Sequence, residues 1–206
     1  MCWNEPVSWT VFFVGTLCTI YLIWKIKKTV AIAIAITWQW VLLMQLFDAL
    51  LWRDQNCGTL NKFAGNSAYI ANITQPIIVF LVLIVISSVS TTFKIMACVV
   101  ILIYIIYMIM SNSSVGQIDC VKEKNGYLDY FWWEKMKYGG IVYITTLILI
   151  IAFLLRPTKL SLFEISYILF TLLLTTLFFS YGGPSIWCWF AAFAPIANVI
   201  FFTLYV

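Results

Sequence analysis

Four polar side chains that could bind a small solute or an ion stand inside long apolar stretches of the chain. Gln45 and Asp48 lie three residues apart, and so do Asn72 and Gln75, so each pair shares one face of a helix. Acidic side chains are costly in hydrocarbon and usually face a bundle interior or a water-filled cavity. The spacing therefore predicts a polar cluster in which Asp48 supplies charge and the three amides supply hydrogen bonds.

Two tryptophans complete the predicted pocket. Trp187 and Trp189 flank a cysteine near the start of the last apolar stretch, and tryptophan is enriched where a membrane meets water. We expect the two rings to form an aromatic wall beside a pocket that opens to the outside. In the alternative interpretation, the polar residues only join helices, at about 0.6 kcal/mol per hydrogen bond, and Asp48 pairs with Arg53 or a lipid headgroup.

The second acid within the apolar stretches has a structural interpretation. Ser161 and Glu164 stand three residues apart at the start of the sixth apolar stretch. In a capping box at a helix start, such a pair satisfies two free backbone N–H groups reciprocally. We therefore expect Ser161 and Glu164 to form a helix cap.

The residue types that are missing exclude several kinds of chemistry. The chain has no histidine, which is the commonest metal ligand and the usual general base at neutral pH. We recognise no pair of nucleophile and base, no metal-binding set and no phosphate loop, so we expect neither an enzyme nor a metal site. A covalent retinal needs a lysine for its Schiff base, and residues 184–206 contain none. No cofactor is expected.

Cysteines mark the side of the membrane where disulfides form. Of six cysteines, Cys2, Cys57, Cys120 and Cys188 fall on the predicted outer side, where disulfides persist. A bridge between Cys57 and Cys120 would join the two long outer loops. Four cysteines allow three sets of pairings, and the sequence does not choose among them.

Composition identifies the elements that must position these residues. The 206 residues are 64% hydrophobic and 10% charged, whereas a soluble domain is roughly 45–50% apolar and about 25% charged. We predict an all-α integral membrane protein, a single domain of seven transmembrane helices of about 20 residues each. The stretches are residues 7–24, 29–52, 67–88, 92–110, 139–155, 162–181 and 184–205.

The loops between these stretches give an orientation. Glu5 is the one charged residue before the first stretch, and Lys25, Lys27 and Lys28 follow it. Lysine and arginine favour the cytoplasmic side, so we predict an outer N-terminus and a cytoplasmic C-terminus. The outer loops are then residues 53–66 and 111–138. We interpret the aromatic residues 127–138 as an interfacial anchor, with a lid over an outward cavity as the alternative.

Four short segments resemble a known family. They are Met-Cys-Trp-Asn at residues 1–4 with Val7 and Ser8, Met-Gln-Leu-Phe-Asp-Ala-Leu-Leu-Trp at 44–52, the block from Leu-Asn-Lys-Phe to Thr-Gln-Pro at 60–76, and Ile-Trp-Cys-Trp at 186–189. Together they resemble an uncharacterised family of polytopic membrane proteins of giant DNA viruses and some protists. The resemblance implies a host or virion membrane, but no activity.

Two functions remain open at this stage. The first is binding or transport of a small molecule or ion, as in a channel or transporter, through the outward-facing polar pocket. The second is a structural or receptor-like role carried by the outer loops. We expect the lipid bilayer as a partner, with a small solute or ion under the first function, and no nucleic acid. Assembly into a homo-oligomer is left open.

Overall fold

The protein is mainly helical. The computed structural model describes residues 4–124, 126–155, 158–178 and 192–205. Two short strands, β1 and β2, pair antiparallel between the helices. In chain order the elements are α1 (Glu5–Tyr21) with a π-helical turn (Leu22–Ile26), α2 (Thr29–Arg53), α3 (Thr59–Ile86), α4 (Thr91–Val115), β1 (Glu123–Lys124), β2 (Tyr127–Leu128), α5 (Trp132–Lys135), α6 (Gly139–Leu154), α7 (Lys159–Phe178) and α8 (Ala194–Tyr205).

Four of these helices are long and apolar enough to cross a membrane: α1 with its π-helical turn, α2, α3 and α4. Helices α6 and α8 are apolar but shorter. A hydrocarbon core about 30 Å thick takes about 20 helical residues, and α2 and α4 have 25 each. The helical membrane-protein class therefore has support in the structure, and the count of seven crossings stays a prediction.

The predicted loop at residues 53–66 is wrong over most of its length, because α3 begins at Thr59 rather than at residue 67. The carboxylate of Asp54 accepts the backbone N–H groups of Gly58 at 3.2 Å and Asn61 at 3.0 Å. A side-chain acceptor for the free N–H groups of a first turn stabilises a helix start. Helix α4 likewise continues to Val115, beyond the predicted end at residue 110.

Helix α2 lies at the centre of the bundle. It packs most extensively against α3 and α1 and also contacts α8. Thr19 of α1 donates to the Gln39 side-chain carbonyl at 2.7 Å. Gly15 lies so close to Leu42 that an added Cβ would stand 2.5 Å from a leucine methyl group. A larger residue at position 15 would therefore force the buried Leu42 side chain to shift where α1 approaches α2.

Helix ends gather at one end of the bundle. The starts of α2 and α7 and the ends of α3, α6 and α8 line a common cleft there. Ser87, just after α3, donates its hydroxyl to the carbonyl of Leu154 at 2.8 Å. The connection between α2 and α3 lies at the opposite end, together with the chain that follows α4.

Residues 116–131, between α4 and α5, form the connecting segment. Its centre is bonded to α3. Asn61 is fully buried. Its amide donates to the carbonyl of Val121 at 2.7 Å and accepts the Val121 N–H at 2.9 Å. Cys57 and Cys120 lie beside this pair at disulfide distance, with their Cα atoms 5.2 Å apart. Cys2 and Cys188 lie outside the described residues, and Cys57 with Cys120 is the predicted pairing that the described part of the chain brings together.

Cys57→Ser or Cys120→Ser is expected to lower the free energy of unfolding by about 2–4 kcal/mol, the usual range for a native disulfide. The change would be seen as a lower Tm of the purified protein in detergent. Cys98→Ser is the matched control, because Cys98 is a free and exposed cysteine of α4. An equal Tm for all the variants and the wild type would contradict a stabilising disulfide.

Candidate functional site

The structure places the four predicted polar residues in the interior of the bundle. Gln45 and Asp48 of α2 are 0% exposed, and Asn72 and Gln75 of α3 are 1% exposed. They occupy facing helices, as the sequence predicted. The other two predicted pocket residues, Trp187 and Trp189, lie outside the described residues.

Two of the four residues reach a tyrosine outside the α2–α3 pair. Asp48 accepts a hydrogen bond from the hydroxyl of Tyr130. The amide of Asn72 lies 3.8 Å from the sulfur of Met44. Gln75 accepts a hydrogen bond from the hydroxyl of Tyr143 in α6. Asp48 and Gln75 thus each contact an element outside the α2–α3 pair.

Aromatic residues cover Asp48 on the side where we expected an opening. Tyr130 stacks on Trp132 with 4.7 Å between ring centroids. Trp132 is fully buried and meets the edge of Tyr69 at 5.6 Å, and Tyr69 donates to the side chain of Asn112 at 2.8 Å. The interfacial-anchor interpretation is therefore wrong for Tyr130 and Trp132, because both rings pack inside the protein. Their position over Asp48 fits the lid alternative.

Proline 76 does not interrupt α3, although its ring removes a backbone donor. The carbonyls on either side of Asn72 accept side-chain donors from other helices: Trp40 donates to Ala71 at 3.1 Å and Tyr104 to Ile73 at 2.7 Å. Neighbouring helices often supply such donors around prolines in membrane helices. The turn of α3 that precedes Pro76 is thus bonded to α2 through Trp40 and to α4 through Tyr104.

The predicted helix cap is wrong for Glu164. Helix α7 begins at Lys159, three residues before the predicted start. Thr158 accepts the N–H of Ser161 at 3.1 Å, and the Ser161 hydroxyl accepts the N–H of Thr158 at 3.2 Å. This is the reciprocal pattern of a capping box, formed by Thr158 and Ser161. Glu164 lies one turn further along and points to a different environment.

Glu164 lines a buried cavity that Gln75 also lines. It is 2% exposed, and the Trp38 ring N–H donates to its Oε2 at 3.3 Å. The side chain of Asn198 in α8 faces the same carboxyl. The cavity holds about 30 Å³ of space for the centres of water-sized molecules. All of its lining residues are buried: Ile34, Thr37, Trp38, Val41, Gln75, Val79, Leu83, Tyr143, Leu147, Ile151, Glu164 and Ile168.

Three polar atoms of these lining residues have no hydrogen-bond partner in the part of the chain that the structure describes. They are Thr37 Oγ1, Gln75 Nε2 and Glu164 Oε1. A buried polar atom without a partner is destabilising by about 1–3 kcal/mol. Across the same described ranges, no group of three or more His, Cys, Asp or Glu side chains could hold a metal ion. The cavity is therefore mainly apolar, with three unpartnered polar atoms among the residues that line it.

Sequence reasoning missed Thr37, Tyr130 and Tyr143. Thr37 precedes Asp48 by eleven residues, which is three helical turns, so the helical pattern could have found it. The two tyrosines gave no such signal, because their partners stand 82 and 68 residues away in the chain.

Comparison with protein-family models, with curated proteins and with solved structures finds no match for this chain.

Tyr130→Phe removes the donor to Asp48 and is expected to lower the free energy of unfolding by about 1–3 kcal/mol, because a buried acceptor loses its partner. The loss is measured by thermal unfolding in detergent. Tyr138→Phe is the control, since Tyr138 is 64% exposed.

A double-mutant cycle with Asp48→Asn isolates the hydrogen bond between Tyr130 and Asp48. We expect Tyr130→Phe to be less damaging in the Asp48→Asn background, where no carboxyl remains. Strictly additive effects would show that the two side chains are not coupled.

Proposed function

We propose that this chain is a multi-pass membrane protein that binds or passes a small solute or ion through the polar interior of its helical bundle. The observation that carries the proposal is the burial of two acids, Asp48 and Glu164, in helices that are otherwise apolar. Ionisable residues within membrane segments commonly mark substrate pathways, ion pathways or proton relays. Asp48 would be the first acidic residue along the proposed path. Gln75 lies at the α2–α3 interface and also lines the cavity beside Glu164.

The size of the cavity favours an ion, a proton or water over an organic molecule. Pockets for organic ligands measure about 300–1,000 Å³, whereas the cavity beside Glu164 has about 30 Å³ for water-sized centres. Trp187 and Trp189 stay in the proposal as the aromatic wall of an outer entrance. Opening that entrance requires Tyr130 to move away from Asp48.

The proposal includes seven crossings, with the N-terminus outside and the C-terminus in the cytoplasm. The ends of α3, α6 and α8 meet the starts of α2 and α7 at one end of the bundle, as expected for helices that alternate in direction. The family resemblance suggests a host or virion membrane as the setting.

A tag fused to the carboxyl end tests this topology. We expect a protease to remove the tag only when the cytoplasmic side of the membrane is accessible. Digestion from the outside of intact cells would contradict the proposed orientation.

A second candidate function is receptor-like and uses the connecting segment. A surface depression there is lined by Lys122, Glu123, Lys124 and Asp129 beside the cysteine pair. Lys124 and Asp129 form an ion pair at 3.5 Å. Deleting the segment would also remove the donor to Asp48, so charge reversal at Lys122 and Lys124 is the better test. Loss of partner binding with an unchanged Tm would favour this function.

Flux through proteoliposomes tests the leading proposal. Vesicles containing the purified protein are expected to exchange a monovalent ion or protons, followed with ion-sensitive or pH-sensitive dyes. Asp48→Asn and Gln75→Leu are expected to lower that flux by about tenfold, the factor that corresponds to about 1.4 kcal/mol of lost stabilisation.

Gln117→Leu is the control, because Gln117 is an exposed residue of the connecting segment. Each variant is first compared with the wild type by thermal unfolding, so that misfolded protein is not counted as inactive. If both Asp48→Asn and Gln75→Leu fold and leave the flux intact, the polar-interior proposal is wrong.

A further inference from the structure

The cleft at the end of the bundle where α2 and α7 begin is a second space, separate from the cavity beside Glu164. The two share no lining residue. The cleft measures about 570 Å³ and is partly open, and pockets for organic ligands measure about 300–1,000 Å³. It can therefore hold a ligand far larger than the cavity beside Glu164 can.

The lining of the cleft divides into a polar rim and an apolar floor. Every exposed lining residue carries a hydroxyl or an amine, and these rim residues are Thr29, Ser88, Thr158, Lys159 and Tyr205. Every buried lining residue is apolar, and these floor residues are Leu154, Leu160, Phe201 and Phe202. A ligand with a polar head and an apolar chain matches this division, because its chain would cover the floor while its head stays at the rim.

The charge of the rim selects the head of such a ligand. Among the described residues that line the cleft, Lys159 alone is charged. Its Nζ lies 5.9 Å from the centre of the Tyr205 ring, a contact that places the ammonium beside the end of α8. An ammonium only donates hydrogen bonds, and the hydroxyls of Thr29 and Ser88 can donate as well. Donors around one positive charge favour an anionic group such as a phosphate.

The other charges at this end of the bundle have the same sign. Lys25, Lys27 and Lys28 lie where the π-helical turn meets α2, and Lys94 lies in the first turn of α4. Glu164, one turn into α7, is buried. The remaining acids lie toward the opposite end of the bundle: Glu5, Asp48, Asp54, Asp119, Glu123, Asp129 and Glu134. The cleft thus opens at a positively charged end, and basic pockets between membrane helices are typical sites for anionic lipid headgroups.

We propose that this cleft binds one anionic phospholipid, with its phosphate at Lys159 and an acyl chain along the floor of Leu154, Leu160, Phe201 and Phe202. A free phosphate would leave that floor uncovered, so the lining favours the lipid. In the proposed orientation this end faces the cytoplasm, where the leaflet carries anionic lipids. The proposal goes beyond the proposed function, because it assigns a ligand to another part of the molecule and holds whether or not ions cross the bundle.

Native mass spectrometry of the full-length protein in detergent tests the site with added phosphatidylglycerol. We expect one bound lipid per chain, and about fivefold weaker binding in Lys159→Gln, the effect of roughly one basic residue near an anionic lipid. Lys159→Arg keeps the charge and is expected to keep the affinity. Phosphatidylcholine with the same acyl chains is the control lipid, and equal affinity for both lipids would overturn the proposal.

Lys94→Gln is the matched control variant, because it removes the same charge from the same end of the bundle without altering the lining of the cleft. We expect it to bind phosphatidylglycerol as the wild type does. An equal loss in Lys94→Gln and Lys159→Gln would show general attraction to a basic surface and would overturn the site.

Ser88→Trp tests the position of the lipid while leaving Lys159 in place. Ser88 is an exposed residue of the rim, so we expect the larger side chain to obstruct the cleft and abolish the retained lipid. Binding at the wild-type affinity in this variant would show that the lipid lies elsewhere.

Thermal unfolding in detergent separates a lipid from a free phosphate. A ligand that binds the folded protein raises its Tm, and we expect this rise with phosphatidylglycerol but not with inorganic phosphate at matched ionic strength. An equal rise with inorganic phosphate that Lys159→Gln abolishes would show a site for the free anion and would overturn the lipid assignment.

Discussion

The hydrogen bond from Tyr130 to Asp48 connects the central helix to the connecting segment. Asp48 is fully buried on α2, so its carboxyl needs a donor from within the protein. Tyr130 can supply it because the connecting segment is held in place by the Cys57–Cys120 pair and by the two Asn61–Val121 bonds. Trp132 then stacks on Tyr130 and closes the contact toward α3. The position of the connecting segment, which lies outside the apolar stretches, thus depends on Asp48, a polar residue within one of them.

The two buried acids have different surroundings. Asp48 meets a donor from the connecting segment under a tightly packed aromatic cover. Glu164 receives one N–H from Trp38 on one oxygen, and its other oxygen has no partner among the described residues, beside a cavity of water size. A well-packed region restricts movement of a ligand, whereas a small cavity leaves space beside Glu164. The two acids therefore differ in how tightly their surroundings are packed.

The sequence predicted the features that depend on the length of apolar stretches or on helical spacing. It located α2 and α6 to within about one residue, placed Gln45, Asp48, Asn72 and Gln75 in the interior, and proposed the cysteine pair among three alternatives. The sequence predicted a loop at residues 59–66, because several of their side chains are polar. In the structure these residues are helical, and Asp54 caps the start of the helix. Ser161 followed by Glu164 matched a capping box, but Thr158 stands three residues before Ser161 and fits equally well. Only the tertiary contact with Trp38 decides that Glu164 turns inward.

The pattern of hydrogen bonding separates polar residues that hold the helices together from those that serve a function. Asn61 and Trp40 bridge two elements, and each makes hydrogen bonds that explain its burial. If Thr37, Gln75 and Glu164 had only a bridging role, apolar side chains could replace them without leaving polar atoms unpartnered. Instead, each of the three keeps a buried polar atom without a partner among the described residues, and all three line one small cavity. Local conflicts of this kind within an otherwise consistent fold are typical of functional sites, so the surroundings of Thr37, Gln75 and Glu164 are a place where function is to be sought.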